Sequence, residues 1–363
     1  MDKVSVLKCF SYNNQEIAKT LNESLKLIDF SFKKDIKVLI KPNVLSPNKP
    51  EDAITTNPVI IEELCKLLKE KNCEIYIGDS SAFNTKEALK ISGIEEIAKK
   101  YGKLIIFDDY PKIYLDLDFK IKKIPISKIL TEVDLVINVA KLKTHSLTNF
   151  TGCVKNLYGI IPGKSKANYH RMLPDVKDFS RFLIEIYSKI KPQLNIIDGI
   201  VGIEGMGPGS SGKKINSNIL IVSKNASAAD IIACKIIGFN RGEVLTNDLA
   251  IKKRLVDDII EVGDKNIRID FIKPIKFSSK LFSLSKFIPG PKIKFNYDKC
   301  IKCKQCEKNC PVDAIILNPY PICKNKKCIN CYCCIEVCPK DAVFLKESKI
   351  FKFGYDLYKK FKK

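Results

Sequence analysis

The sequence predicts an α/β protein: a larger domain on a mixed or parallel sheet with flanking helices, followed by a small cysteine-rich domain. Three observations predict it. Short β-branched runs alternate with amphipathic stretches through the first three quarters of the chain. Ten of the fifteen cysteines fall between Cys300 and Cys338. Between the two regions lies "FSSKLFSLSKFIPGPK", whose Pro-Gly-Pro punctuation reads as a junction. The expected boundaries are 1–276 for the α/β domain, 277–294 for the linker, 295–345 for the cysteine-rich domain and 346–363 for a basic amphipathic tail.

The elements follow in order. "DIKVLIKPN" predicts a strand at 36–40, and "NPVIIEELCKLLKEKN" a helix capped from Thr55, Thr56 or Asn57. "CEIYIGDSS" gives a strand at 74–77 and "KEALKISGIEEIAKKYG" a helical stretch, followed by a strand at 104–107. Further strands are expected at 134–139, 194–198 and 218–223, with a helix near 175–190.

Composition narrows the function classes. The formal charge is +22, which suggests anionic partners or a lysine-rich default surface. Basic residues are not interleaved with aromatics, and no helix-turn-helix or zinc-finger spacing occurs, so no nucleic-acid partner is expected. The N-terminus lacks a signal-peptide core and no apolar run is long enough for a membrane span, which makes cytoplasmic the expected location. Cysteines in a cytoplasmic chain point to metal ligation rather than disulfides.

The cysteines repeat. "CIKCKQCEKNCP" and "CINCYCCIEVCP" both read C-x2-C-x2-C-x3-C-P, and "DAI" after the first matches "DAV" after the second. Two-residue gaps let three thiolates wrap one iron–sulfur cube, while the fourth cysteine serves the other. Cys300, Cys303, Cys306 and Cys338 are therefore expected at one [4Fe–4S] cluster, and Cys328, Cys331, Cys334 and Cys310 at a second. Cys323 and Cys333 are off the pattern. The segment resembles a bacterial two-cluster ferredoxin, which implies a small pseudo-twofold βαβ iron–sulfur fold that passes single electrons.

In the larger domain, "KPN", "GDSS", "KLKTH" and "DGIVGIEG" are each expected just beyond the C-terminal end of a strand, where open α/β sheets bind ligands. Both histidines of the chain, His145 and His170, flank "TGCVKNLYGIIPGK", and nine of seventeen glycines lie between Gly152 and Gly212. A loop rich in glycine and lysine suits a phosphate or carboxylate. His145 and His170 are the expected acid–base pair or metal ligands, with carboxylates from Asp79, Asp198 and Glu204. Lys41, Asn43, Ser80, Lys141, Lys143, Lys155 and Asn156 are the expected substrate-binding residues. Cys153 reads as a buried apolar side chain.

"GPGSSGKK" (Gly207–Lys214) approaches a P-loop, but Lys214 stands where Mg²⁺ needs a hydroxyl, and a strand follows instead of a helix. No dinucleotide fingerprint and no nucleophile elbow are present.

The motifs "KPN", "GDSS", "KLKTH…TGCVKNLYGIIPGKSKANYH" and "DGIVGIEGMGPGSSG" resemble the signatures of the domain of unknown function 362 family over most of residues 1–275. Members often carry a C-terminal two-cluster ferredoxin module. The family has no agreed activity, so the resemblance implies an architecture and positions but no reaction. The design is also distantly similar, as an analogy, to the nickel-dependent lactate racemase domain.

Three functions stay open: an oxidoreductase relaying electrons to a small anionic substrate, an electron carrier whose large domain docks a redox partner protein, and a non-redox isomerase-like enzyme with structural clusters. The basic amphipathic tail is expected to pack back on the module, or to dock on an acidic redox partner or peripherally on a membrane surface.

Overall fold

The computed structural model of the chain describes residues 1–82, 84–163, 165–274 and 292–346. Most of the expected linker, and all but the first residue of the expected basic tail, lie outside the described residues.

β1 (Asp2–Lys8) leads into α1 (Asn14–Leu27), which starts at Asn13 because that side chain accepts from the amides of Gln15 and Glu16. β2 (Lys37–Lys41), α2 (Pro58–Lys69) and β3 (Glu74–Asp79) make a parallel crossover. α3 (Thr85–Ile91) and α4 (Ile94–Tyr101) connect to β4 (Lys103–Ile106). β5 (Lys112–Asp116) and β6 (Lys123–Ser127) form a separate hairpin. β7 (Leu135–His145) passes through β8 (Asn149–Thr151) into α5 (Cys153–Asn156), α6 (Ser165–Met172) and α7 (Val176–Ile190). β9 (Leu194–Gly205) and β10 (Gly212–Ser223) pair antiparallel, followed by α8 (Ala226–Ile236), α9 (Leu245–Lys252) and β11 (Ile259–Gly263).

The main sheet has the order β11-β1-β10-β9-β7-β2-β3-β4, with β8 beside β7. Strands β9, β7, β2, β3 and β4 are parallel, and β10 opposes both β9 and β1. The sheet is thus mixed. Side chains alternate between two cores: Val38 and Ile40 enter one, and Leu39 the other. Burial on both faces explains why the strands read as continuous apolar runs.

Two strands run further than the sequence suggests. β7 continues through "KLKTH" to His145, and β9 through "DGIVGIEG" to Gly205. Partners on both sides keep their backbones paired: Lys143, Thr144 and His145 face Thr151, Phe150 and Asn149 of β8. The β7–β9 register slips between Lys141 and Lys143, and such a bulge re-aims the side chains beyond it.

The cysteine-rich module begins earlier than expected, at β12 (Lys292–Phe295). α10 (Gln305–Lys308), the hairpin β13 (Ile315–Leu317) and β14 (Pro321–Cys323), α11 (Cys333–Glu336) and β15 (Val343–Lys346) complete it, with β15 paired to β12. Its two halves match in backbone detail. Lys302, Lys304 and Asp313 have positive φ, as do their repeat equivalents Asn330, Tyr332 and Asp341. The amides of Ala314 and Ala342 donate to the Sγ atoms of Cys310 and Cys338, both at 3.2 Å, which gives the repeated "DA" after each C-P a structural role.

Candidate functional site

A cavity of about 730 Å³ opens where the ends of β2, β3 and β7 meet α5, α6 and the cysteine-rich module. The larger domain contributes Asn43, Asp79, Ser80, Lys143, Lys155 and Lys166, among others. The module contributes Gln305, Lys308, Asn309, Cys333, Glu336 and Val337. The site is therefore assembled from both parts of the chain.

One amide chain positions the cationic floor. Lys143 Nζ donates to Asn43 Oδ1 at 2.6 Å and to the Ile54 carbonyl at 2.8 Å. Asn43 Nδ2 donates to Asn156 Oδ1, and Asn156 Nδ2 to Asn138 Oδ1. Lys143 is fully buried, and none of these partners is a carboxylate. Burial, reinforced by Lys155 and Lys141, holds its amine far below the ordinary lysine range. Lys155 lies over the Tyr158 ring at 5.9 Å, and burial lowers it too, against the pull of Glu336. A bound anion would let both amines charge, because it supplies the counterion that burial removed. The hydroxyl of Thr151, which also lines the cavity and is 4% exposed, has no hydrogen-bond partner among the described residues.

At the cavity wall, Asp79 Oδ1 forms a buried ion pair at 2.7 Å with Lys41 Nζ behind it, and the Val44 amide donates to Asp79 Oδ2. Gly159 of "NLYGI" packs on that pair; a Cβ there would lie 2.3 Å from Asp79 Oδ1 and 2.7 Å from Lys41 Nζ. Lys166 donates to the Ser80 carbonyl at 2.5 Å and to Ser80 Oγ at 2.8 Å. Burial lowers its ammonium to about 8, with Asp79 and Asp108 opposing.

The histidines take different places. His170 lines the cavity, stacked on Phe179 at 4.4 Å and edge-on to Tyr158. Burial depresses it to about 3, so its imidazole is neutral at pH 7. His145 does not line the cavity. Its Nδ1 accepts from the amides of Leu147 and Thr148, which leaves the proton on Nε2 facing Glu336 Oε1 at 3.1 Å. Burial depresses His145 to about 4, while the His145 side chain and Lys155 hold Glu336 at about 2, so a neutral imidazole faces an ionised carboxylate. This ring cannot reach a ligand in the cavity; it positions Glu336.

Three other expected residues lie elsewhere. Lys141 is turned away, donating to Asp198 Oδ2 and to the Tyr12 hydroxyl; Tyr12 in turn donates to Asp198 Oδ1. Its charge is satisfied inside the fold, so it offers nothing to a ligand. Asp198 is consumed by the same triad, and Glu204 accepts from the Ile272 amide. Cys153 is fully buried. The N-terminus of its short helix is occupied by Asp230, which accepts from the amides of Cys153 and Val154.

The P-loop-like "GPGSSG" serves docking. Ser210 Oγ donates to the Cys338 carbonyl at 3.2 Å, and Ser211 Oγ to Asp341 at 2.6 Å. Gly209 lies against the Glu336 backbone.

In the module, one small enclosure is lined by Cys300, Cys303, Cys306 and Cys338, and a second by Cys310, Cys328, Cys331 and Cys334. Each enclosure takes three cysteines from one repeat and the fourth from the other. Among the described residues no three His, Cys, Asp or Glu side chains could hold a single metal ion. Four thiols around one enclosure fit a polynuclear cluster. Cys323 lines neither enclosure and Cys333 lines the large cavity. Lys166, Thr151, Cys333 and Glu336 were not singled out from the sequence as site residues; the only signal was that Lys166 lies in the glycine- and lysine-rich loop.

Among the described residues no helix is long and apolar enough to cross a membrane. A family model described as domain of unknown function (DUF362) matches residues 38–235, and one described as 4Fe-4S binding domain matches residues 293–316. A thylakoid-associated protein of Synechocystis sp. is 30% identical over 264 residues, covering 69% of this chain and 79% of that protein. The lactate racemase apoprotein from Thermoanaerobacterium thermosaccharolyticum aligns with a TM-score of 0.42 and 18% identity over 66% of this chain. The aligned part spans 57% of the racemase chain.

Proposed function

From the premise that this chain belongs to the DUF362 family and is an iron–sulfur protein with a 4Fe-4S binding domain, we propose that it is an oxidoreductase delivering electrons to a small anionic substrate in the shared cavity. Two [4Fe–4S] clusters would be held by the two cysteine tetrads. When bound, such clusters supply single electrons at low potential.

The observation that carries the reading is the shared wall. Cys333 and Glu336, in the same short helix as Cys334, line one cavity with Lys143, Lys155 and Lys166. An electron carrier that merely docked a partner has no use for an internal cationic chamber beside its own cysteines.

The residues have separable tasks. Lys143 and Lys155 bind the anionic group, and Asn43 and Asn156 fix the position of Lys143. Lys166, with its ammonium near 8, gives the proton that accompanies an electron onto the substrate. His170, neutral and packed against the rings of Phe179 and Tyr158, orients a polar group of the substrate. A one-electron carrier protein and solvent then restore the electron and the proton. The fifteen cysteines, none in a disulfide, suit the cytoplasm, where thiols stay reduced.

The test is anaerobic. Full-length protein is reconstituted with iron and sulfide, reduced, and mixed with a panel of small carboxylates and phosphate esters while visible absorbance is followed. Reoxidation by a subset of the panel, slowed about 100-fold or more in Lys143→Met and Lys155→Met, is expected, since each change removes a charge made for the anion. Reoxidation at the wild-type rate in both variants, or by none of the panel, overturns the reading.

A further inference from the structure

The two repeats of the cysteine-rich module are alike in backbone and opposite in exposure. Ile301, Lys302, Cys303 and Lys304 of the first loop are all exposed, Ile301 at 57%. Their equivalents in the second loop, Ile329, Asn330, Cys331 and Tyr332, are half-buried or buried. The charges differ as well. From Lys299 to Cys306 the first loop carries three lysines and no acid, whereas Cys328 to Cys334 carries no charge. Lys304 and Lys340 line the first small enclosure beside Cys303. Lys299 pairs with Asp341 at 3.7 Å, but no carboxylate pairs with Lys302, Lys304 or Lys340 among the described residues.

Two further features single out this loop. Lys302 and Lys304 have φ of 55° and 61°, a left-handed conformation that costs a lysine about 1 kcal/mol and that asparagine tolerates better. The second repeat places Asn330 at the position of Lys302, so the shape of the loop does not explain the lysine. Lys302 Nζ lies 4.2 Å from the centre of the Tyr320 ring, which packs on the exposed Tyr297 at 4.8 Å. The face thus combines unpaired cations, exposed apolar side chains and a thiol of the first tetrad.

We propose that this face, formed by Tyr297, Ile301, Lys302, Lys304 and Lys340, docks a small acidic one-electron carrier protein that loads the iron of the first tetrad. This deepens the oxidoreductase reading and rests on it only for the fate of the electron. Charge selects the partner: the three unpaired lysines steer an acidic protein and repel a basic one. Ile301 and Tyr297 supply apolar contact area, which a protein partner uses and a free inorganic anion does not. One electron passes from the carrier to the iron that Cys300, Cys303, Cys306 and Cys338 would hold. The carrier is oxidised by one electron, no covalent bond breaks and no proton is needed. Gln305, next along the chain, lines the large cavity, so the loop links the outer surface to the chamber where the electron is used.

The experiment uses full-length reconstituted protein, with an oxidised acidic flavodoxin as the probe, isotope-labelled so that its amide chemical shifts report binding. Binding to wild type at low ionic strength is expected. Lys302→Asn combined with Lys304→Asn should weaken it about fivefold or more. Asparagine suits the left-handed backbone, and iron content equal to wild type checks that the loop is intact; if iron is lost, Lys340→Gln decides by the same criterion. The gap between variant and wild type should close at about 0.5 M salt, where screening acts within a few ångströms. Lys326→Asn combined with Lys327→Asn, in the exposed stretch before Cys328, removes the same charge and should leave binding unchanged. No binding to wild type, equal binding by the Lys302 and Lys304 variant, or an equal loss in the charge-matched control overturns the proposal. Anionic phospholipid vesicles are the competing probe. Vesicle binding that needs Lys302 and Lys304, without flavodoxin binding, would assign the face to a membrane surface; a dimer lost in the same variant would assign it to a second copy of the chain. Either result overturns the proposal. After reduction with dithionite, the docking variant should be reoxidised by the anion panel at the wild-type rate. Flavodoxin binding with no reoxidation of either protein fails the cavity reading and leaves the docking face standing.

Discussion

His145 Nε2 meets Glu336 Oε1 at 3.1 Å, tying the last residue of β7 to the short helix that carries Cys334. Both groups are largely removed from water, so each is the other's main compensation for burial.

Glu336→Ala is expected to destabilise the protein by about 2–4 kcal/mol, because it strands the His145 N–H in the interior. Glu336→Gln keeps an acceptor and is expected to lose less than half of that. Anaerobic urea denaturation of the two variants measures the difference. Equal losses would mean that the contact contributes packing alone.

The two histidines make the fold acid-sensitive. Their folded pKa values, about 4 for His145 and about 3 for His170, lie below the ordinary value of 6.5. Between those limits the unfolded chain binds more protons than the folded one, so stability falls as pH drops below 6.5 and levels off near pH 3. Each pKa unit is worth about 1.4 kcal/mol. A lower melting temperature at pH 5 than at pH 7, with the gap reduced in His170→Phe, is the expected outcome.

Turnover should depend on the Lys166 ammonium. Its pKa is lowered from 10.5 to about 8, so the proton donor is present below that value and lost above it. The rate of reoxidation by substrate is expected to fall about tenfold per pH unit above 8. Lys166→Arg keeps the charge at high pH, and should remove this decline while lowering the plateau. A flat wild-type profile from pH 7 to 10 would exclude Lys166 as the donor.

Gly159→Ala is expected to cost about 2 kcal/mol or more, since the new methyl group would push on a locked ion pair rather than a flexible chain end. Thermal unfolding measures it, and a melting temperature equal to wild type would mean that the pair shifts without cost.

Iron analysis tests the tetrads. If each tetrad holds one four-iron cluster, as proposed, wild type should bind about eight irons per chain, and Cys310→Ser close to four. Cys153→Ala and Cys323→Ser should leave the count unchanged. A full loss in Cys323→Ser would reassign a ligand.

The parts legible from sequence are those fixed by local periodicity. The cluster cysteines obey a spacing rule, and the strands announce themselves by β-branched runs. Gathering Asn43, Ser80, Lys143, Lys155 and Asn156 around one cavity was legible because parallel strands bring their ends to one edge. What escaped was long-range and electrostatic. Lys141 and Lys143 differ by two positions, yet one is neutralised by Asp198 and Tyr12 while the other faces the cavity. The slip in register between them, set by β9, has no local signature. Glu336 looked like an ordinary module residue because its partner, His145, is 191 residues away in the chain.

The serine turn between β9 and β10 has a consequence for biogenesis. Ser210 grips Cys338 across 128 residues of sequence, and Ser211 grips Asp341 across 130. A nascent chain can therefore complete its sheet long before it owns the far side of its chamber. The segment that closes the chamber is also the one that would await iron, so cluster loading would seal a chamber whose other walls are already folded.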